Sequence, residues 1–162
     1  MNNNNEISYL FTDGSVNPQI EVGFGAYLFL RNHEFFSGEL EKEVKIKKFN
    51  NTSSTKLELE TLLWALDEVN LKSCKLVVYT DCQNIIGLPA RRDGLERKNY
   101  MTAKGKLIKN HALYKDFFKR LDRLDCEFIK VKGHKKSSLK NTVDEVFTLV
   151  DKASRNALRT IN

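Results

Sequence analysis

The first part of the chain with a clear structural pattern is an alternating stretch between residues 8 and 13. Tyr9, Phe11 and Asp13 fall on one side of an extended run, and the residues between them fall on the other. The alternation and the aromatic content predict a strand. Its last residue is a carboxylate, which is costly to bury unless a partner neutralises it. For Asp13 taken alone, a cap on the following turn is the competing interpretation.

A second stretch is built in the same way. Residues 75–81 form an apolar run that ends in Thr80-Asp81, as the first stretch ends in Thr12-Asp13. A helical pattern separates the two predicted strands, so we expect them to pair in parallel. The carboxyl ends of parallel strands lie at one edge of a sheet, and the two carboxylates can meet there.

The helix between these strands begins after hydroxyl side chains at Ser53, Ser54 and Thr55, which are suitable N-cap residues. Glu58 follows in the first turn. It either favours the helix dipole or brings a third carboxylate to the strand ends. The apolar stripe of this helix recurs at steps of three and four, at Leu59, Leu62, Leu63, Leu66 and Val69.

The rest of the pattern predicts strands at 25–30, 35–44 and 126–131, and helices at 82–88, 111–124 and 141–158. Loops or polar connections are predicted at 14–22, 45–52, 91–110 and 133–138, and Pro89 is expected to end the short helix. The order of elements predicts an α/β fold: a mixed five-stranded sheet, three antiparallel strands and then two parallel ones, with helices on both faces. We expect one domain over residues 7–160, after a disordered leader at 1–6.

Basic residues are concentrated after the second Thr-Asp strand. The chain carries a formal net charge of +6. Residues 90–120 hold ten Lys and Arg against three Asp and Glu, and a second basic cluster lies between residues 130 and 140. A solvated surface is the simplest explanation of one such run, but two of them favour a polyanionic partner, with nucleic acid first.

Composition and length exclude several classes of protein. With 162 residues, of which 41% are hydrophobic and 30% charged, the chain has the composition of one soluble globular domain. No apolar run in the sequence approaches the roughly 20 residues that span a bilayer, so we expect no membrane partner. The three cysteines form no Cys-x-x-Cys pair, which predicts reduced thiols and a cytoplasmic protein.

Asp13, Glu58 and Asp81 can converge in this arrangement of strands and helix. Clustered carboxylates repel one another unless a cation neutralises them, and oxygen ligands suit Mg²⁺, with Mn²⁺ as the alternative. An acidic metal site on a basic protein indicates phosphodiester hydrolysis with two metal ions.

Four short motifs follow one another on these elements: Thr12-Asp13-Gly14-Ser15, Lys56-Leu57-Glu58-Leu59, Thr80-Asp81-Cys82-Gln83 and Val131-Lys132-Gly133-His134. In this order they resemble type 1 ribonuclease H over residues 7–159. The resemblance implies a ribonuclease H-like fold and a monomeric endonuclease that hydrolyses the RNA strand of RNA–DNA hybrids to 5′-phosphate and 3′-hydroxyl products. It also implies that Asp13, Glu58 and Asp81 are catalytic ligands of two Mg²⁺ ions.

The resemblance further implies a fourth metal-binding carboxylate in the last helix. The small and basic residues after Asp151 fit the family pattern, so we favour Asp151 as this catalytic ligand. Asp144 keeps a more usual distance from the predicted loop at 133–138 and stays an alternative. The two aspartates are seven residues apart and share a helical face, so periodicity cannot separate them. The matching histidine of the family helps proton transfer or product release, and we expect this catalytic role for His134.

Positions that match the family's contacts with nucleic acid are Gly14, Ser53, Ser54, Thr55, Gln83, Tyr100, Lys104, Lys106 and Lys109. The lysines would contact phosphates, and Tyr100 stands where the family usually has Trp. Two alternatives remain open. One is a nucleic-acid-binding module without catalysis on the same fold, and the other is a related DNA nuclease or resolvase.

Overall fold

A central sheet of five strands organises the molecule. The computed structural model describes residues 6–35, 38–71, 75–132 and 141–161. The strands are β1 (Ile7–Asn17), β2 (Val22–Arg31), β3 (Lys45–Phe49), β4 (Lys75–Thr80) and β5 (Cys126–Lys130). The helices are α1 (Ser54–Glu68), α2 (Gln83–Arg97), α3 (His111–Leu121) and α4 (Thr142–Arg159).

The strand order is β3-β2-β1-β4-β5, so β1 lies in the middle of the sheet. β2 pairs antiparallel with both β1 and β3, whereas β4 pairs in parallel with both β1 and β5. The predicted α/β fold, with three antiparallel strands followed by two parallel ones, is confirmed. Because β1 and β4 run in parallel next to each other, their carboxyl ends lie at the same edge of the sheet.

Two hydrophobic clusters, one on each face of the sheet, hold the helices in place. Leu10 packs in the cluster formed with α1, α2 and α3, whereas Phe11 packs in the cluster formed with α4. Neighbouring residues of a strand point to opposite faces, so β1 contributes to both clusters. Both side chains are fully buried, and burial of a Leu or Phe contributes about 1.5–3 kcal/mol. The central strand is therefore anchored from both sides.

The hairpin of β1 and β2 is longer than the sequence indicates. We predicted a loop over 14–22, but β1 continues to Asn17 and β2 begins at Val22. Gly14 pairs with Gly25 across the two strands. Glycine in a strand interior weakens the local preference for a strand, so the sequence pattern missed these residues. Pairing with the neighbouring strand overrides that preference.

The third strand lies later in the chain than predicted. The predicted strand at 35–44 is wrong, because its described part contains a 3₁₀ turn at Leu40–Glu43. β3 instead occupies part of the predicted connection at 45–52. It lies at the edge of the sheet, and four of its five residues are exposed. Edge strands often carry lysines, which discourage pairing with other chains, so β3 lacks the apolar pattern of a buried strand.

Helix α2 continues through Pro89, where we predicted its end. Proline removes one hydrogen bond from a helix interior and usually bends or breaks the helix. Here Leu88 before the proline and Leu95 after it are both buried, and the helix extends to Arg97. Packing on both sides of the proline compensates for the lost bond. The first part of the predicted loop at 91–110 is therefore helical.

The other predicted elements are present, with small shifts at their ends. α3, for example, ends at Leu121 rather than at residue 124. The predicted leader at 1–6, except for Glu6, and the predicted loop at 133–138 lie outside the described residues. Within the described ranges, no helix is long and apolar enough to cross a membrane.

Replacement of Gly25 by alanine tests the close packing of α1 on this hairpin. A Cβ atom at position 25 would lie 2.1 Å from Thr61 Oγ1 and 2.9 Å from Thr61 Cβ. Overpacking of this kind costs about 1–3 kcal/mol. We therefore expect Gly25→Ala to lower the free energy of unfolding by that amount in urea denaturation.

Gly94→Ala is the matched control for this prediction. A Cβ atom at this helical position would meet no described atom within 4 Å. Alanine is favoured over glycine in a helix by about 0.8–1 kcal/mol, so this variant should be more stable than the wild type. Equal stabilities of the two variants would contradict the close packing inferred at Gly25.

Candidate active site

Three acidic side chains converge just beyond the point where the parallel pairing of β1 with β4 ends, at Phe11 and Tyr79. Asp13 lies on β1, Asp81 directly follows β4, and Glu58 projects from the N-terminal part of α1. One carboxylate oxygen from each of the three residues lies within 4.8 Å of the other two. Asp13 and Glu58 are buried, and Asp81 is half-buried. The structure thus brings together the three carboxylates that the sequence analysis placed at this edge of the sheet.

Gly14 allows α1 to approach the sheet closely at this point. A Cβ atom at Gly14 would lie 2.9 Å from Leu57 Cδ2, and one at Gly23 would lie 2.7 Å from the same atom. The backbone N–H of Gly14 also donates a hydrogen bond to Glu58. Gly14 therefore positions Glu58 through both its backbone and its missing side chain. Its predicted contact with nucleic acid stays a prediction.

Burial and mutual repulsion disfavour the charged forms of these carboxyls. Burial is the largest cause of the raised pKa of Asp13, followed by the charges of Glu58 and Asp81. Burial also raises the pKa of Glu58, followed by the charge of Asp81, and the hydrogen bond from Gly14 opposes the rise. Buried like charges without a counter-ion have this effect in general. A cation between the carboxylates would offset both causes.

The donor set fits a hard divalent cation. Glu58 Oε2 is buried and has no hydrogen-bond partner among the described residues. A buried acceptor without a partner is uncommon in proteins, and a bound ion would supply the missing interaction. The three carboxylates offer only oxygen ligands, which suit Mg²⁺ or Mn²⁺ better than softer metals. The acidic cluster can therefore hold a divalent metal.

The fourth predicted carboxylate reaches this cluster from α4. The carboxyl of Asp151 lies within hydrogen-bonding reach of the Asp13 carboxyl, which adds to the raised pKa of Asp13, and it forms an ion pair with Arg155, one helical turn further on. Asp144 lies about 10 Å earlier along the helix axis. Its Oδ2 accepts from the N–H of Asn141, whose side chain accepts in return from the N–H of Asp144. The structure thus brings Asp151 to the cluster and places Asp144 in a capping box.

Hydroxyl side chains border the carboxylates at the start of α1. Ser53 is the N-cap residue by backbone geometry, and its carbonyl accepts from the N–H of Leu57 at 2.8 Å. Its side chain makes no capping hydrogen bond within the described structure. Ser54 and Thr55 are exposed. These hydroxyl groups lie within about one to one and a half helical turns of Glu58.

Gln83 begins α2, two residues after Asp81, and is exposed. Its side-chain Oε1 accepts a hydrogen bond from Nζ of Lys130, at the end of β5, at 2.7 Å. This bond engages the oxygen of the amide and fixes the direction of the side chain. The NH₂ group of Gln83 is then the part of the amide that can donate to another molecule.

Residues 98–110, between α2 and α3, form what we call the basic loop. A tight turn shapes its centre, where the N–H of Thr102 donates to the carbonyl of Lys106 at 2.6 Å. The N–H of Lys106 donates in return to Thr102 Oγ1 at 3.2 Å. Lys104, Lys106 and Lys109 are exposed on this loop. The turn therefore presents three positive charges to solvent on an ordered backbone.

Tyr100 occupies a different position from the lysines of the basic loop. It is only 6% exposed and packs in the core cluster on the α1 face of the sheet. Lys115 Nζ on α3 lies 5.0 Å from the centroid of its ring. These contacts favour a role in anchoring the loop over stacking on a base. His134 lies outside the described residues.

Sequence reasoning used the residues after Asp151 to favour it as a ligand, but it predicted no contacts for Ser154 and Arg155 themselves. Ser154 is fully buried, and its Oγ lies 3.1 Å from Oγ of Ser15 on β1. Arg155 forms the ion pair with Asp151 described above. The spacing carried a signal, because Ser154 and Arg155 follow Asp151 by three and four residues and so share its helical face.

A comparison with solved structures finds a match for this architecture. The structure described as the foamy viral protease-reverse transcriptase in complex with dsDNA matches with a TM-score of 0.61. The match covers 92% of this chain and 93% of that chain, at 13% sequence identity. At this identity the likeness shows the fold alone. The chain therefore has the fold of that structure, and its acidic cluster can hold a divalent metal.

Sequence comparison adds the family. The RNase H family model matches residues 5–156. A ribonuclease H of Clostridium botulinum (strain Hall) is 30% identical over 141 residues, which cover 85% of this chain and 90% of the relative. A ribonuclease H of Caldanaerobacter subterraneus subsp. tengcongensis is 27% identical over 154 residues, which cover 91% of this chain and 93% of the relative. The chain therefore belongs to the RNase H family. The predicted enzyme class, ribonuclease H, is confirmed.

The acidic cluster should make the metal-free protein less stable as the pH rises. Both Asp13 and Glu58 have raised pKa values, so the folded state keeps protons that the unfolded chain has already released. This contribution to stability is complete below the ordinary carboxyl range and is lost as the pH rises through the raised values. We expect urea denaturation in chelator to give a falling free energy of unfolding from acidic to alkaline pH, and Mg²⁺ to remove most of the fall.

Asp13→Asn separates this effect from other causes of pH dependence. It removes one buried charge, so in chelator at alkaline pH it should raise the free energy of unfolding by roughly 1–3 kcal/mol. Asp125→Asn is the control, because Asp125 is exposed, and it should change stability little. A loss of stability in Asp13→Asn under these conditions would argue against repulsion within the cluster.

Proposed function

We propose that this ribonuclease H cuts the RNA strand of RNA–DNA hybrids internally, with two divalent cations, to leave 5′-phosphate and 3′-hydroxyl ends. The observation that carries the proposal is the convergence of Asp13, Glu58 and Asp81, with the carboxyl of Asp151 next to that of Asp13. Four carboxylates at one site carry more negative charge than a single divalent cation neutralises. Two Mg²⁺ ions, or two Mn²⁺ ions, would balance them.

The position of each carboxylate suggests its part in the reaction. Asp13 lies beside Glu58 and Asp81 and also next to Asp151, so it would hold the cations together with these three carboxylates. Glu58 is held by the N–H of Gly14, which keeps one of its oxygens in a fixed place. When bound, the cations would lower the pKa of the attacking water and neutralise charge on the leaving oxygen.

The side chains around the cluster support recognition of an RNA strand. Ser53, Ser54 and Thr55 can exchange hydrogen bonds with 2′-hydroxyl groups, which distinguish RNA from DNA. Gln83 has its amide oxygen engaged by Lys130, so its NH₂ group can donate to base acceptors in the minor groove. We assign these contacts to a hybrid laid across the edge of the sheet that carries the carboxylates.

We propose that His134 takes part in proton transfer or product release. Val131, three residues earlier, donates its N–H to the carbonyl of Thr80 at 2.8 Å. The chain that leads to His134 therefore leaves the sheet beside Asp81. Histidine has an ordinary pKa near 6.5, which suits both uptake and release of a proton near neutral pH.

The carboxylates all come from one chain, so we also propose that the enzyme acts as a monomer.

Asp81→Asn tests the catalytic assignment with little change of shape. Removal of one carboxylate charge weakens the cation site, and loss of a single electrostatic contribution of this kind costs about 10²–10³ in rate. We expect cleavage of a labelled RNA–DNA hybrid to fall by at least about 100-fold, with cooperative unfolding retained. The assay compares Mg²⁺, Mn²⁺ and chelator, with duplex DNA and duplex RNA as further substrates.

Asp144→Asn is the matched control, and Asp151→Asn is its counterpart at the cluster. The asparagine oxygen at 144 can still accept from Asn141, so cleavage should stay near the wild-type rate. A loss in Asp144→Asn as large as that in Asp151→Asn would move the fourth ligand to Asp144. Preferential cutting of duplex or branched DNA would show that the substrate is DNA and not the RNA–DNA hybrid. Binding of the hybrid without cutting would show that the protein is a nucleic-acid-binding module without catalysis.

Alanine in place of Lys104, Lys106 and Lys109 tests the basic loop. Each phosphate contact contributes about 0.7–0.9 to the slope of log K against log salt. The triple variant should therefore reduce the slope for hybrid binding by about 2–3. The loss should be equal for hybrids of different sequence, because phosphate contacts carry no sequence information.

Lys119→Ala is the control for the basic loop. Lys119 is also exposed, but it lies in the last turn of α3, at the far end from the loop. We expect fluorescence anisotropy titrations to give a wild-type slope for this variant. A wild-type slope for the triple variant as well would show that the basic loop does not contact the hybrid.

A further inference from the structure

A pair of serine hydroxyls links the central strand to α4 directly beside the acidic cluster. Ser154 Oγ lies 3.1 Å from Ser15 Oγ. The Ser154 hydroxyl also lies 3.0 Å from the carbonyl oxygen of Asp151, to which it can donate. Ser154 is fully buried, and Ser15 is half-buried. The pair therefore lies within the contact between the strand and the helix.

The serine pair repeats the contact between the two aspartates. Ser15 follows Asp13 by two residues and so lies on the same side of β1. Ser154 follows Asp151 by three residues and so lies on nearly the same face of α4. Strand and helix thus meet at two successive points, the contact between the Asp13 and Asp151 carboxyls and the Ser15–Ser154 hydrogen bond.

Two contact points restrict the motion of α4 relative to β1 more than one contact point does. The contact between Asp13 and Asp151 by itself leaves the distance between α4 and β1 free to change at the next turn of the helix. The hydrogen bond between the serines, roughly 6–7 Å further along the strand, fixes that distance. Arg155 holds Asp151 through an ion pair within the helix. Apolar packing places α4 on the sheet; the serines therefore fix the local distance between α4 and β1 next to Asp151, and Arg155 sets where the Asp151 carboxylate points.

Local hydrogen bonding does not explain the serine at position 154. A buried hydroxyl can satisfy its donor within the helix, as Ser154 can through the carbonyl of Asp151. An alanine would fit the same fully buried position without any polar group to satisfy. The hydroxyl adds one interaction that alanine cannot make, which is the bond to Ser15 on the neighbouring element.

We infer that Ser154, bonded to Ser15, is a positioning residue that sets the separation of Asp151 from Asp13 and thereby the affinity for the second cation. This inference rests on the proposed two-cation function. The serines touch neither cation nor substrate. They act by fixing the position of the Asp151 carboxylate.

Ser154→Ala provides the first test in the full-length enzyme. The Mg²⁺ concentration for half-maximal hybrid cleavage should rise about fivefold, the effect of losing one hydrogen bond of ordinary strength. The KM for the hybrid should stay unchanged, because no substrate contact is lost. Ser15→Ala should have the same effect, and the double variant should be no worse than either single variant. Additive effects of the two serine substitutions would overturn the inference.

Two comparisons separate positioning from a general loss of stability. Thr148→Ala also removes a hydroxyl from α4, one that donates to the carbonyl of Asp144 at 2.9 Å. It should leave the Mg²⁺ requirement unchanged, because this hydroxyl bonds within α4. In the Asp151→Asn background, Ser154→Ala should have no further effect on the Mg²⁺ requirement. An equal shift in Thr148→Ala, or a full effect in the Asp151→Asn background, would assign Ser154 a purely structural role.

Metal binding without catalysis distinguishes failure of this inference from failure of the proposed function. The probe is Mn²⁺, counted by electron paramagnetic resonance on enzyme bound to a duplex of DNA and 2′-fluoro RNA. The wild type should bind two ions, and Ser154→Ala should bind the first equally and the second about fivefold more weakly. A single ion in the wild type would overturn both proposals. Two ions with equal affinities in wild type and variant would overturn only the role of Ser154.

Discussion

Repulsion between buried carboxylates is the interaction on which the rest of this structure depends. Carboxylate oxygens of Asp13, Glu58 and Asp81, one from each, lie within 4.8 Å of one another, and like charges at such distances repel strongly in a medium of low dielectric. No single strand or helix could hold them there. Packing on both faces of the sheet does so, and Leu57 occupies the space left open at Gly14. The fold holds together a cluster that becomes favourable when a cation binds.

The same packing places the acidic residues and the exposed lysines in two separate regions. Acidic groups are collected just beyond the point where the parallel pairing of β1 with β4 ends, whereas exposed lysines lie on the basic loop. A nuclease needs both, because cations must lie at the scissile phosphate and the other phosphates must be held by positive side chains. The buried ring of Tyr100 ties the loop to the core, so both charged regions are attached to the same packed core.

The sequence predicted the bounds of elements that carry a continuous apolar pattern. It did not predict the bounds of elements that depend on contacts with other parts of the chain. β4 has the bounds that the sequence indicates, because it is buried on both faces and reads as an apolar run. β3 was missed because an exposed edge strand has no such pattern. α2 was predicted to stop at Pro89, since local rules cannot weigh a lost hydrogen bond against the burial of Leu88 and Leu95. In each case a long-range contact outweighed a local preference.

The sequence by itself determined the class of fold and the three carboxylates at the strand ends, because strand alternation and helical periodicity are local properties of the chain. Only the tertiary structure could decide between Asp144 and Asp151 as the neighbour of Asp13. The two residues share a helical face, so the choice depends on where α4 lies along β1. Packing of α4 against the sheet decides that position. It brings Asp151 to the cluster and leaves Asp144 to cap the helix with Asn141.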